Sequence, residues 1–522
     1  MQMFEEVAAT HKRGPRQTSP AASDPEPADS GGRGEAGLEA DIWWQAIRSR
    51  DSRFDGRFFV AAVTTGVYCR PTCPVPFAKA KNIALYGCAA AAETAGYRPC
   101  RRCRPEASPG TPAWLGTSAV VSRGLRLIRE GALNNGDVEG LAERLGIGSR
   151  QLRRLFVQHL GAPPIQIAST HRVHFARNLI EETDLPMSII AMNAGFNSIR
   201  QFNHTLRDTF GQPPSEIRRL HRDTEGGSRQ GGLVIHLPYR PPFHWNALIS
   251  FLQATAIPGV EKVEPNCYRR TIQTATSRGV ISVSPDPDAA RMIVRIDVSD
   301  YSNLMGVIER IRQIFDLGAE PEVIAEHLSR DSLLKSMVAA RPGVRVPGAW
   351  DGFELAVSAI LARRPGNRTG DEMAGNIARS FGIPIETGDT ALTHTFPQAE
   401  VLAEVDLSLA GLTGEFARPI LGLARLVVAK QILFESSKSL PDAISQLSAI
   451  PGIGEDTAEY IAMRALGEPD AYPLKTLGLA GQGPGGPILP GQSSILTSAA
   501  NWRPWRAYGV MHLWIANKQS KL

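Results

Sequence analysis

Apolar residues return at helical spacing in several separate stretches of this chain and alternate in only one region, which predicts a mainly helical molecule with a small α/β part. Residues 1 to 40 are rich in Pro, Gly, Ser and charge and poor in apolar groups, the composition of a disordered tail. A helical pattern starts near Ile42 with Trp43, Trp44 and Ile47. Beyond the turn-rich residues 108 to 114, amphipathic helices run from Ser118 to about His221. Two stretches there share one plan of helix, tight turn and second helix. One spans residues 138 to 156 with its turn at Gly146 to Gly148, and the other residues 187 to 211 with its turn at Ala194 to Asn197. A long helix through His171 to Glu181 joins them, so the pair offers two consecutive helices to the major groove on one face of DNA.

The segment EGGSRQGG at 225 to 232 reads as a flexible hinge. After it, residues 233 to 243 and 279 to 298 show β-type alternation, residues 246 to 260 read as a helix, and the region 231 to about 300 becomes a small α/β unit. From Tyr301 onward the pattern is helical again. Residues 447 to 467 place a Pro-Gly-Ile-Gly turn between two helices, the pattern of a helix-hairpin-helix. Glycines at Gly452 and Gly454 would let backbone N–H groups approach a DNA phosphate, and the helix start after Gly454 favours that negative charge. An ordinary turn between helices is the alternative that the pattern leaves open.

With 522 residues the chain should hold several domains, because single cores seldom grow past about 250 to 300 residues. A net charge of +5 and a pI near 8.9 fit a nucleic-acid partner without requiring one. No apolar run reaches the ~18 residues needed to span a bilayer, so no membrane role is expected.

Four of the six cysteines fall in two short-spaced pairs, Cys69 with Cys73 and Cys100 with Cys103. Each pair can bite one metal ion from a tight turn while the intervening chain folds between them, which is what a single tetrahedral Zn2+ requires. Disulfides, or cysteines used as small core hydrophobes, are the competing readings. No secretory signal is read at the start, so a reducing compartment is expected, and the zinc reading leads. Arg70, Arg101, Arg102 and Arg104 lie beside the sulfurs, where positive charge favours thiolates. Cys88 and Cys267 have no partner at ligand spacing and read as structural.

Residues 54 to 75, FDGRFFVAAVTTGVYCRPTCPV, and 95 to 106, AGYRPCRRCRPE, resemble the zinc domain of the Ada adaptive-response proteins. That resemblance implies that Cys69 takes a methyl group from a DNA methylphosphotriester. A zinc ribbon without reactivity has the same ligand spacing. Residues 194 to 219, AGFNSIRQFNHTLRDTFGQPPSEIRR, resemble the AraC family of DNA-binding domains. The recognition helices are then Ser149 to Phe156 and Ser198 to Thr209, and Arg150, Arg153, Arg154, Arg200 and Gln201 are candidates for base or phosphate contact. The partners implied are double-stranded DNA and, for a transcription regulator, RNA polymerase. The location implied is the bacterial cytoplasm, at the nucleoid.

Residues 231 to 522 resemble the AlkA type of 3-methyladenine DNA glycosylase. That family flips an alkylated base into an aromatic pocket and uses an aspartate to stabilise the cationic sugar. At the aspartate's place this chain has Thr476, preceded by Lys475, and Asp456 stands where the family has a pocket tryptophan. Arg363 to Gly366 replace a glutamine-rich turn, and residues 480 to 492 are rich in Gly and Pro where a helix would be expected. These departures predict impaired base excision. A rewired site using Asp456 or Asp470, and hence a fully active glycosylase, is the alternative. No Pro-Cys-His-Arg word is present, so transfer from guanine O6 is not expected.

The expected layout is multidomain: tail 1–40, Ada-like zinc domain 41–108, AraC-type double helix-turn-helix 116–224, linker 225–232, AlkA-like N-terminal α/β domain 233–300, and a helix-hairpin-helix glycosylase fold 301–522.

Overall fold

The computed structural model describes residues 43–50, 54–75, 80–103, 105, 119–134, 136–225, 233–362, 367–412, 414, 416–434, 440–474, 477 and 498–519. The expected tail, Arg104, the replacements at Arg363 to Gly366, Lys475, Thr476 and the Gly/Pro stretch at 480 to 492 lie outside the described residues. Residues 43–49 are helical, as the periodicity around Trp43 predicts.

The cysteine-rich part is a four-stranded sheet of β1 (Phe59–Ala62), β2 (Val67–Cys69), β3 (Ile83–Tyr86) and β4 (Arg98–Pro99) in the order β3-β1-β2-β4. β1 runs antiparallel to both neighbours, whereas β4 lies parallel to β2. A short helix, Ala89–Thr94, lays its alanines on Phe59, Ala61 and Tyr68. Small side chains there let the helix approach the sheet closely.

The next part is all helix. Both helix-turn-helix units form where the pattern places them, as Val138–Arg144 with Ser149–Leu160 and as Met187–Asn193 with Ile199–Phe210. The second helix of each runs on to Leu160 or Phe210 because a glycine follows, Gly161 at φ 73° and Gly211 at φ 68°. Only glycine takes that left-handed turn without strain. The linking helix, Pro164–Glu182, begins earlier than the periodicity indicates. Pro164 opens it, at a position where the missing N–H costs nothing.

After the linker comes a five-stranded antiparallel sheet in the order β5-β9-β8-β7-β6, built from β5 (Leu233–Pro238), β6 (Glu261–Glu264), β7 (Cys267–Gln273), β8 (Arg278–Asp286) and β9 (Arg291–Val298). The alternation of residues 233 to 243 and 279 to 298 marks β5, β8 and β9. β6 and β7 are additions, and the helix expected at 246 to 260 is Trp245–Ala254. The alternation of β7 is concealed because Arg270 occupies an inward position between Tyr268 and Ile272, buried against Glu354 at 2.8 Å.

This sheet shares one apolar core with the second helix-turn-helix unit. Phe202, Leu206 and Ile217 belong to the same buried cluster as Ile235, Tyr268 and Ile308. At the seam, Asn193 Oδ1 accepts the Leu304 N–H at 2.8 Å. A second core, including Ala356, Ile360, Ala424, Ile461 and Trp502, holds the C-terminal helices together. Among the described residues, no helix is long and apolar enough to cross a membrane.

Candidate zinc-thiolate centre and DNA-facing sites

Sheet geometry assembles the four sulfurs. Cys69 ends β2, and Cys73 follows across a turn in which its N–H donates to the Arg70 carbonyl at 3.1 Å. Cys100 follows β4 and donates its N–H to the Tyr68 carbonyl at 2.9 Å, so the parallel pairing carries it beside Cys69. The four Sγ atoms all lie within 4.8 Å of one another. A tetrahedron with bonds of about 2.3 Å places its sulfurs about 3.8 Å apart, so the donor set fits one Zn2+ ion.

The Cys100 thiol is pushed far down by hydrogen bonds from Cys103 and Cys69, and those two are pushed up because they donate to Cys100. Four adjacent thiolates repel one another and need a dication among them. The zinc cofactor is thus supported by the assembled sulfurs. Cys73, Cys100 and Cys103 are at most 9% exposed, whereas Cys69 is only half-buried. Arg70 borders the cluster. Its backbone N–H reaches Cys103 Sγ at 3.4 Å, and its Nε donates to the buried Asp55 carboxylate at 2.7 Å.

Three contacts that no sequence pattern marks tie this part of the chain to the helices behind it. Arg101, between two ligand cysteines, donates through Nη2 to the Phe210 carbonyl at 2.8 Å, the last residue of the second recognition helix. Cys88, read as structural, donates its thiol to the Leu160 carbonyl at 3.0 Å, the end of the first recognition helix. Burial raises that thiol to about 11, so it stays protonated. Tyr68, fully buried beside Cys69, donates its hydroxyl to Glu93 Oε1 at 2.9 Å. Thr170 and His174 of the linking helix meet the same carboxylate, Thr170 donating to Oε2 and His174 Nε2 lying 3.2 Å from Oε1. Burial pushes the Glu93 carboxyl up, and the His174, Thr170 and Tyr68 hydrogen bonds outweigh it, leaving the group below its ordinary range.

The predicted DNA contacts sit on outer faces. Arg150, Arg153 and Arg154 are exposed on the first recognition helix, with Arg153 paired to Glu139 at 3.0 Å. Arg200 and Gln201 are exposed at the start of the second. Gln201 also has a local task. Its Oε1 accepts the Asn197 N–H at 3.3 Å while its own N–H donates to Ser198 Oγ at 3.1 Å, a reciprocal cap for the helix start. The spacing of Ser198 and Gln201 carries that signal, which the resemblance overshadows.

In the C-terminal part, the expected hairpin forms between Leu440–Ser448 and Glu455–Arg464, with Gly454 as the N-terminal cap. Gly452 has φ 93°, and a Cβ there would lie 2.5 Å from the Pro419 side chain, so both backbone and space demand glycine. Near it a cleft of about 910 Å³ is lined by Tyr268, Trp350, Tyr460 and Trp514 together with Asp371 and Asp456. Burial raises the Asp371 carboxyl to about 6. Asp470, the other candidate substitute carboxylate, is held by Arg503 at 2.9 Å and Arg506 at 2.8 Å.

Fold and sites together define a multidomain DNA-binding architecture: a zinc-thiolate module, a double helix-turn-helix and a helix-hairpin-helix module. Family profiles match the chain as "Metal binding domain of Ada" over residues 42–106, "Helix-turn-helix domain" over 141–220 and "AlkA N-terminal domain" over 234–351. The "Probable bifunctional transcriptional activator/DNA repair enzyme AlkA" of Mycobacterium tuberculosis is 42% identical over 476 residues, which cover 90% of this chain and 95% of that protein. The chain belongs to this family of AlkA proteins that carry an Ada-type zinc domain. The DNA-3-methyladenine glycosylase 2 of Escherichia coli is 29% identical over 283 residues, 53% of this chain and 95% of that enzyme. The Escherichia coli protein named Ada is 29% identical over 181 residues, 35% of this chain and 49% of its own length.

Proposed function

We propose that this is a DNA alkylation-damage repair and response protein in which Cys69 takes a methyl group from a DNA methylphosphotriester, and that this transfer alters how the double helix-turn-helix grips DNA. The observation that carries the reading is that Cys69 is the one partly exposed residue of an otherwise buried cysteine quartet. Bound zinc keeps the sulfurs as thiolates at neutral pH. The Cys69 sulfur attacks the methyl carbon, the carbon–oxygen bond breaks, and the phosphate leaves as an ordinary anionic diester. No proton moves. Cys69 becomes a thioether, and the charge of the ligand set with its ion goes from about −2 to about −1. Repulsion from neighbouring phosphates falls, so binding tightens. The domain limits read from the sequence, a cytoplasmic setting at the nucleoid, and a contact with RNA polymerase belong to the same reading.

The C-terminal part is then a glycosylase-like module with impaired base excision. Thr476 stands in for a carboxylate, and the two arginines that hold Asp470 leave it a poor substitute. A second reading, a fully active glycosylase, gains support from Asp456 and Asp371 lining the aromatic cleft. Two measurements test these readings. Intact mass after incubation with methylated duplex should show one added methyl, absent in Cys69→Ser, and the same gain in that variant would reject the acceptor. Release of free 3-methyladenine should be low and should rise on Thr476→Asp, by roughly the 10² in rate that one electrostatic stabiliser commonly supplies. Rapid release by the unaltered chain would favour the second reading.

A further inference from the structure

We propose that Glu93 is a positioning residue that carries the state of the zinc-thiolate centre to the two DNA-reading units. The inference rests on the methyl-acceptor reading of Cys69 and adds a mechanical route to its electrostatic effect. Tyr68 directly precedes the acceptor on β2 and is fully buried, so its ring moves with the strand. Its hydroxyl lies 2.9 Å from Glu93 Oε1 and 3.1 Å from His174 Nε2. Thr170 donates to the other Glu93 oxygen. Thr170 and His174 belong to Pro164–Glu182, the helix that joins the two helix-turn-helix units.

One carboxylate thus bridges the strand that bears the acceptor and the helix that fixes the spacing of both recognition helices. A second tie runs in parallel, from Arg101 inside the Cys100–Cys103 loop to the Phe210 carbonyl at 2.8 Å. Space at that junction is tight. A Cβ on Gly211 would lie 2.8 Å from Arg101 Nη2. A neutral thioether at Cys69 would hold a bound Zn2+ less firmly than a thiolate does, which would let the end of β2 relax. Tyr68 and Cys100 are the residues bonded across that strand end, so both ties feel the shift.

Amide hydrogen exchange of the full chain, read at residues 164–182 and 199–210 before and after incubation with methylated duplex, tests this. Intact mass scores methyl uptake in the same samples. In the unaltered chain, uptake should change exchange in both helices by several-fold. Glu93→Gln and the milder Tyr68→Phe should still bind zinc and take up the methyl, yet lose most of that change. A merely structural role would shift exchange equally in both states, and that result overturns the proposal. So does a variant that responds like the unaltered chain, or uptake without any exchange change. If the unaltered chain gains no methyl, the acceptor reading fails instead. Zinc removal by a chelator then decides the coupling: exchange in both helices should rise in the unaltered chain and rise less in Tyr68→Phe, and an equal rise in the two overturns it.

Discussion

Cys69 differs from the three cysteines beside it in being less covered, and on the proposed reading that difference marks the acceptor among the ligands. Replacing a buried ligand should therefore have another effect from replacing the acceptor. Cys73→Ser is expected to lose zinc and loosen the sheet around it, read by metal analysis and proteolysis, because the metal's binding free energy is also folding free energy. The ligands were legible from spacing alone, since two short-spaced pairs leave few other chemistries. Glu93 was not legible, because a lone glutamate at the end of an alanine run carries no hint of its partners on a helix far along the chain. Another residue hidden from sequence is His512, 4% exposed, whose burial lowers its pKa to about 4. The unfolded chain takes up that proton near pH 6.5, so it binds more protons than the folded chain between these values. The stability this group contributes is complete above about pH 6.5 and is lost as pH falls toward 4. At pH 5.5 the loss should be roughly 1.4 kcal/mol. Denaturant unfolding at pH 7.5 and 5.5 should show His512→Gln shrinking the gap between the two by about that amount.

Helix ends and turns govern the elements that face DNA. Glycine at the left-handed ends predicted neither recognition helix's last turn from periodicity alone, yet Gly161 and Gly211 set where both stop. The helix-hairpin-helix was legible because Pro-Gly-Ile-Gly is a local word, and the structure adds the reason that Gly452 cannot change. Gly452→Ala forces a Cβ into the left-handed region and against Pro419, and should cost roughly 1–3 kcal/mol in stability, seen as a lowered melting temperature. Gly454 has open space around it, and Gly454→Ala should cost less than half as much. Strands β6 and β7 show where pattern reading stops. A buried arginine breaks alternation as a polar residue would at the surface, and its partners Glu354, distant in sequence, and Glu261 explain why it can be inside.

For the whole molecule, the halves on either side of the linker were legible as separate units from composition, but their shared core was not. Apolar residues on the second helix-turn-helix and on the α/β sheet each read as belonging to a local core, whereas they form one. The two should therefore unfold in a single transition, and Asn193→Ala, which strands the Leu304 N–H at the seam, should lower the stability of both by about 1–3 kcal/mol, read by calorimetry. On the proposed reading, chemistry at the Cys69 sulfur alters the grip of helices tied to it through Arg101 and Glu93. That claim is tested most directly by equilibrium binding to a duplex that the chain itself selects from a random-sequence pool, measured before and after methyl transfer. Removing one like charge near a phosphate is worth about 1 kcal/mol or more, so affinity should rise roughly five-fold or more and Cys69→Ser should show no rise. Equal affinity in the two states, or the same rise in Cys69→Ser, would contradict the account.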